Sequence, residues 1–119
     1  MATYTKLPLS GSTNGKNMQV TGNSSGASIT VHTAVSGTSD LDEVWLYAMG
    51  TSATARKLTI EYGAAGGDID LVEIEIGAEG TGPVLVIPGW VLQNGLIVKA
   101  FAAATNEVNL NGFVNRITA

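Results

Sequence analysis

Cysteine is absent from the 119 residues, which excludes disulfide bonds, thiolate metal sites and cysteine nucleophiles. Charge is scarce as well: Asp, Glu, Lys and Arg make up 13% of the chain and the net charge is −4. A disordered chain carries more charge and less apolar material, so the 45% hydrophobic content points to a folded domain. The six Lys and Arg residues are scattered, with Arg56 and Lys57 the one adjacent pair, and nothing forms the basic stripe that nucleic acid requires. No apolar run reaches the roughly 20 residues of a membrane helix. The longest, residues 83–92, is interrupted by Pro88 and Gly89. The opening MATYTKLPLSGS has no basic start followed by an apolar stretch, so no signal peptide is expected. The protein is expected to be made and kept in the cytoplasm, or assembled there into something larger.

What is present is alternation. At 12.2 kDa the chain can bury one core and not two. Its apolar residues recur with period two, the signature of strands, and helical spacing is nearly missing. Eight strands are predicted, at residues 17–21, 27–34, 43–49, 56–62, 71–76, 84–87, 96–102 and 108–115, separated by Gly, Asn, Ser and Asp. Asn94-Gly95 is a strong turn pair, residues 50–55 read as a hairpin connection, and residues 63–67 end a strand. Residues 36–42 have the composition of a short helical turn capped by Ser39 or Asp40. The expected fold is an all-β, single-domain antiparallel sandwich of jelly-roll type spanning residues 17–119. Residues 1–16, polar apart from a knot around Leu7, Pro8 and Leu9, are expected as an extended N-terminal arm, because proline is excluded from a regular central strand.

The faces of these strands are informative. Lys57, Thr59 and Glu61 oppose Leu58, Ile60 and Tyr62, and Glu73 and Glu75 oppose Val72, Ile74 and Ile76, so each of these strands has one wet face. In 43–49, by contrast, Val44, Leu46 and Ala48 face one way while Trp45, Tyr47 and Met49 face the other. A strand apolar on both sides predicts a second covered surface, either beneath the folded-back arm or at a subunit contact. Trp90, after Pro88-Gly89, reads as a loop tryptophan that is either a lid on the sandwich end or a partner anchor.

Catalytic patterns are few. His32 is the single histidine and alternates with Ile29 and Val31, which places it on the surface or at an interface. No Gly-x-Ser-x-Gly elbow accompanies it. Asp40, Asp42 and Glu43 lead into a strand, and the Asp68-x-Asp70 pair after Gly66-Gly67 reads as turn-forming, since the rest of a calcium loop is missing. Residues 63–67 lack the Gly-Lys-Ser/Thr of a phosphate loop, and Glu73 and Glu75 read as a solvated face. No enzymatic activity, cofactor or metal is expected.

The segment from His32 through Asp42-Glu43-Val44-Trp45-Leu46-Tyr47-Ala48-Met49 resembles small virion proteins of tailed bacteriophages. So do Ala53 to Gly63 and the ending Gly112-Phe113-Val114-Asn115-Arg116-Ile117, and the likeness covers most of the chain from about Leu7 onward. The resemblance implies a capsid decoration, or cement, protein located on the virion after assembly in the host bacterial cytoplasm. Its partner would be the major capsid protein, and it would act as a homo-oligomer, a trimer or else a dimer. A head-fibre, tail or connector component is the alternative among structural proteins, and a carbohydrate-binding sandwich the alternative from another class. Tyr4, Leu7, Leu9, Trp45, Tyr47, Met49 and Trp90 are the residues expected at a self-association or capsid interface.

Overall fold

The computed structural model describes residues 2–65 and 67–119. Met1, at the start of the expected arm, and Gly66, inside the expected turn at 63–67, lie outside them. Among the described residues nine strands form: β1 (Thr3–Pro8), β2 (Met18–Gln19), β3 (Ile29–Thr33), β4 (Leu41–Gly50), β5 (Arg56–Gly63), β6 (Leu71–Ile76), β7 (Val84–Leu92), β8 (Ile97–Ala102) and β9 (Val108–Thr118). Single 3₁₀ turns at Ser25–Ala27 and Asp68–Asp70 are the helical content.

The strands make two antiparallel sheets. The front sheet runs β1-β9-β4-β7, with β2 also on β9, and the back sheet runs β3-β8-β5-β6. The pairings nest: β5 with β6, β4 with β7, β3 with β8 and β2 with β9. One long hairpin with its tip between β5 and β6 has therefore been rolled up, and the lateral pairs β4·β9 and β5·β8 close the roll. This is the all-β sandwich that the alternation predicts, with the nested connectivity of a jelly roll. β1 and β2 lie along the same free edge of β9 and act as one strand interrupted at residues 9–17.

Between the sheets lies a core of aliphatic side chains, among them Val44, Leu46 and Ala48 from β4, Leu58 and Ile60 from β5, Val98 and Ala100 from β8 and Leu110 and Val114 from β9. Each alternates with an outward residue, so period two delivers one buried face per strand. Asn94 and Gly95 both adopt positive φ, 62° and 68°, as an Asn-Gly turn requires.

Several expectations are corrected. The N-terminal segment is not a separate arm: residues 3–8 pair with β9 from Thr118 to Phe113, and Pro8 is tolerated because β1 is an edge strand. Leu9 is buried in the core and so is not offered to a partner, while Leu7 is partly buried against that core. Residues 50–55 cross from the front to the back sheet rather than closing a hairpin. Residues 36–42 form no helical turn; 36–40 are bends and Leu41 and Asp42 already belong to β4. The strand read at 84–87 continues to Leu92, because β7 is also an edge strand and absorbs Pro88 and Gly89 through register shifts against β4.

Candidate functional site

The two outer faces differ in chemistry. On the back sheet the outward positions of β5, β6 and β8 include Lys57, Glu61, Glu73, Glu75 and Lys99, with a Lys57–Glu73 ion pair of 2.9 Å. On the front sheet β4 presents Leu41, Glu43, Trp45, Tyr47 and Met49 beside Ile117, Asn115, Phe113, Asn111 and Asn109 of β9. Tyr4, Lys6 and Pro8 of β1 flank them on one side, and Leu85, Pro88 and Val91 of β7 on the other.

Trp45 is the fixed point of the front face. Its ring stacks on Phe113 with centroids 6.1 Å apart and planes inclined by 14°. Its indole N–H donates to Glu43 Oε1 at 2.6 Å, and the Asn115 side-chain amide donates to the same oxygen at 3.0 Å. The hydrogen bonds from Asn115 and then from Trp45 hold the Glu43 carboxyl below the usual carboxylate range. Gly89, at φ 81°, lies flat beneath the indole; a Cβ there would stand 2.7 Å from Trp45 Cζ2. On the other side of Phe113 the Lys6 ammonium sits 4.2 Å from the ring centroid, a cation–π contact. Both charges of the face are thus engaged within it. Next to this stack, Tyr47, Met49, Pro83, Asn111, Asn17 and Phe113 line a shallow hollow of about 390 Å³. The Asn111 amide spans its rim, donating to Asn17 Oδ1 at 2.7 Å and to the Gly15 carbonyl at 3.2 Å.

The structure brings Trp45, Tyr47 and Met49 together on this partly exposed face, as the strand pattern implies. It separates Trp90, which lies within β7 and not in a loop. Trp90 meets Tyr62 of the back sheet edge-on at 5.5 Å and covers that end of the sandwich while remaining 45% exposed. Burial pushes the Tyr62 hydroxyl up to about 12. Tyr4 is exposed on β1 at the margin of the front face.

His32 is corrected from a surface to a core residue. A bulge between Thr30 and His32 against β8 lets Val31 and His32 both point inward, and His32 is 2% exposed. Asp42, expected just ahead of a strand, lies within β4 and is fully buried beside it. Ser10, His32 and Asp42 meet, yet their wiring differs from a hydrolytic triad. The Ser10 backbone N–H donates to His32 Nδ1 at 3.0 Å, so Nε2 carries the proton and donates to Asp42 Oδ2 at 2.7 Å. Ser10 Oγ instead accepts from the Thr33 N–H at 2.7 Å. Neither ring nitrogen is left to take a proton from Ser10 Oγ, which a nucleophilic serine needs. Arg116 adds a two-point contact to Asp42 at 2.8 and 3.0 Å, and the Val35 N–H donates to Asp42 at 3.1 Å. Burial opposes ionisation of Asp42, but the hydrogen bonds from Arg116 and His32 outweigh it and hold its carboxyl below the ordinary range. The cluster clamps the loop after β1 to β3, β4 and β9. Sequence pattern held one signal for it: Asp42 is two residues before Val44, on the inward phase of β4.

Among the described residues no group of three or more His, Cys, Asp or Glu side chains is placed to hold a metal ion, and no helix is long and apolar enough to cross a membrane. Fold and face together define a jelly-roll sandwich with one charged outer face and one aromatic, amide-bearing outer face. Comparison with family models, with curated proteins and with solved structures finds no match.

Proposed function

We propose that this chain is a docking protein rather than an enzyme, and that it decorates a bacteriophage head by laying its front face on the major capsid protein. The observation that carries the reading is the asymmetry of the two faces. The back sheet has the charge expected of a solvated surface, whereas the front face presents the half-buried Trp45, Phe113, Tyr47 and Met49 with Glu43 and Lys6 engaged within it. Rigid aromatic anchors ringed by amides are the composition of an interface centre. The resemblance to small phage virion proteins selects the shell as partner. Acting as a trimer, or else a dimer, the protein would touch several capsid subunits at once, and modest contacts would add through effective concentration. It would thereby resist separation of the subunits on the virion surface. A head-fibre, tail or connector role uses the same face and differs in copy number.

A second reading is favoured by one specific feature. Trp45 held flat beside Glu43, Asn115 and Asn111 is also a platform on which a sugar ring stacks. The purified protein is therefore incubated with undecorated expanded capsids and, separately, with a polysaccharide array. Saturable binding to capsids at a fixed ratio per hexamer, with no glycan retained, is expected. Glycan retention lost on Trp45→Ala, without capsid affinity, would replace the decoration reading by the carbohydrate one.

A further inference from the structure

On the opposite side of the molecule the Glu61 carboxylate is left half satisfied. It projects from the outer side of β5, yet it is 2% exposed, because the 3₁₀ turns Ser25–Ala27 and Asp68–Asp70 lie over the back sheet there. Ser25 Oγ donates to Oε2 at 2.5 Å, whereas the buried Oε1 has no hydrogen-bond partner among the described residues. A buried carboxylate oxygen without a donor is unfavourable, and such groups mark places where a partner is missing. Glu61 lines a recess of about 210 Å³ together with Ser25, Asp68, Leu71 and Phe101.

The lining selects the ligand. Two carboxylates and a hydroxyl call for a cation, but a hard metal ion takes six or more oxygens and two of these walls are hydrocarbon. A guanidinium suits all of them: its donors form a planar fork that matches carboxylate oxygens, it is weakly hydrated, and its face stacks on an aromatic ring. The exposed Asp68 adds negative charge at the opening. We propose that this recess receives an arginine side chain from a partner protein, with Glu61 as its main acceptor, Asp68 as the second and Phe101 as the stacking surface. The site lies on the back sheet and does not depend on what the front face binds.

The test is an NMR titration of the full-length protein with N-acetyl-arginine methylamide, and with the citrulline analogue as its uncharged isostere. Saturable shifts at Ser25, Glu61, Asp68 and Phe101 with the arginine probe and none with citrulline are expected. Glu61→Gln should weaken the affinity at least tenfold. The exposed Asp68→Asn should weaken it at least threefold, which keeps the test decisive if Glu61→Gln does not fold. Equal responses to the two probes, unchanged affinity in Asp68→Asn, or saturation of the same resonances by Ca²⁺ but not by arginine would overturn the proposal.

Discussion

Replacing Asp42 by alanine should be among the most destabilising changes available to this domain. Its carboxylate is fully buried and accepts from Arg116 twice, from His32 Nε2 and from the Val35 N–H. Alanine would leave the His32 and Val35 donors unsatisfied in the interior, at about 1–3 kcal/mol each. Arg116 would lose its partner as well, but its side chain is 30% exposed and can turn to water. Removing one partner of a buried pair costs about 3–5 kcal/mol in total, a large part of the roughly 5–15 kcal/mol that holds a domain together. At roughly 4 °C per kcal/mol for a chain of this size, Tm should fall by about 12–20 °C. Urea denaturation followed by tryptophan fluorescence gives the same quantity isothermally. The acid dependence is a second readout. Because the folded state holds Asp42 below the ordinary aspartate value of 3.8, its contribution is fully present above that value and is lost as pH falls beneath it. The gap between wild type and Asp42→Ala should therefore narrow in acid. A loss under 1 kcal/mol at neutral pH, or a gap that does not change with pH, would refute the clamp.

Deleting residues 2–12 removes β1, the core side chain Leu9 and the Ser10 donor to His32, so it should cost at least the ~2–5 kcal/mol of a Leu9→Ala cavity, measured by thermal unfolding. Tyr62 should ionise only near about 12, read from its ring ¹³C shift, and Trp90→Ala, which uncovers it, should lower that value. Gly89→Ala would push a methyl into the Trp45 ring and strain a backbone at φ 81°, displacing the indole; Trp45 fluorescence should shift and docking should weaken at least tenfold. Light scattering at micromolar concentration should show a trimer or dimer, and a strict monomer would remove the self-association part of the proposal.

The sandwich and the composition of its faces were readable because each strand obeys period two. Val44, Leu46 and Ala48 inward and Trp45, Tyr47 and Met49 outward follow from alternation alone. Where the reading failed, a feature outside the local pattern intervened. The bulge at β3 inverts the phase at His32, and nothing in Ile29 to Thr33 announces it. Glu61 alternates like a solvated residue but is covered by turns from residues 25–27 and 68–70, a contact between distant segments. Pro8 and Pro88 break the strand pattern in the sequence, yet both sit on edge strands, where proline is tolerated. The edge position belongs to strand order, which local sequence does not encode. The nested pairing that makes residues 50–55 a crossover is likewise a property of the whole chain.

The front face is best tested by hydroxyl-radical footprinting of the protein free and bound to expanded capsids, because Trp45, Tyr47 and Met49 are all oxidisable and lie together on it. The account predicts that these three become protected in the bound state, while Trp90 at the end of the sandwich keeps its free reactivity. Unchanged oxidation of Trp45, Tyr47 and Met49 on capsid-bound protein would contradict the assignment of this face as the docking surface.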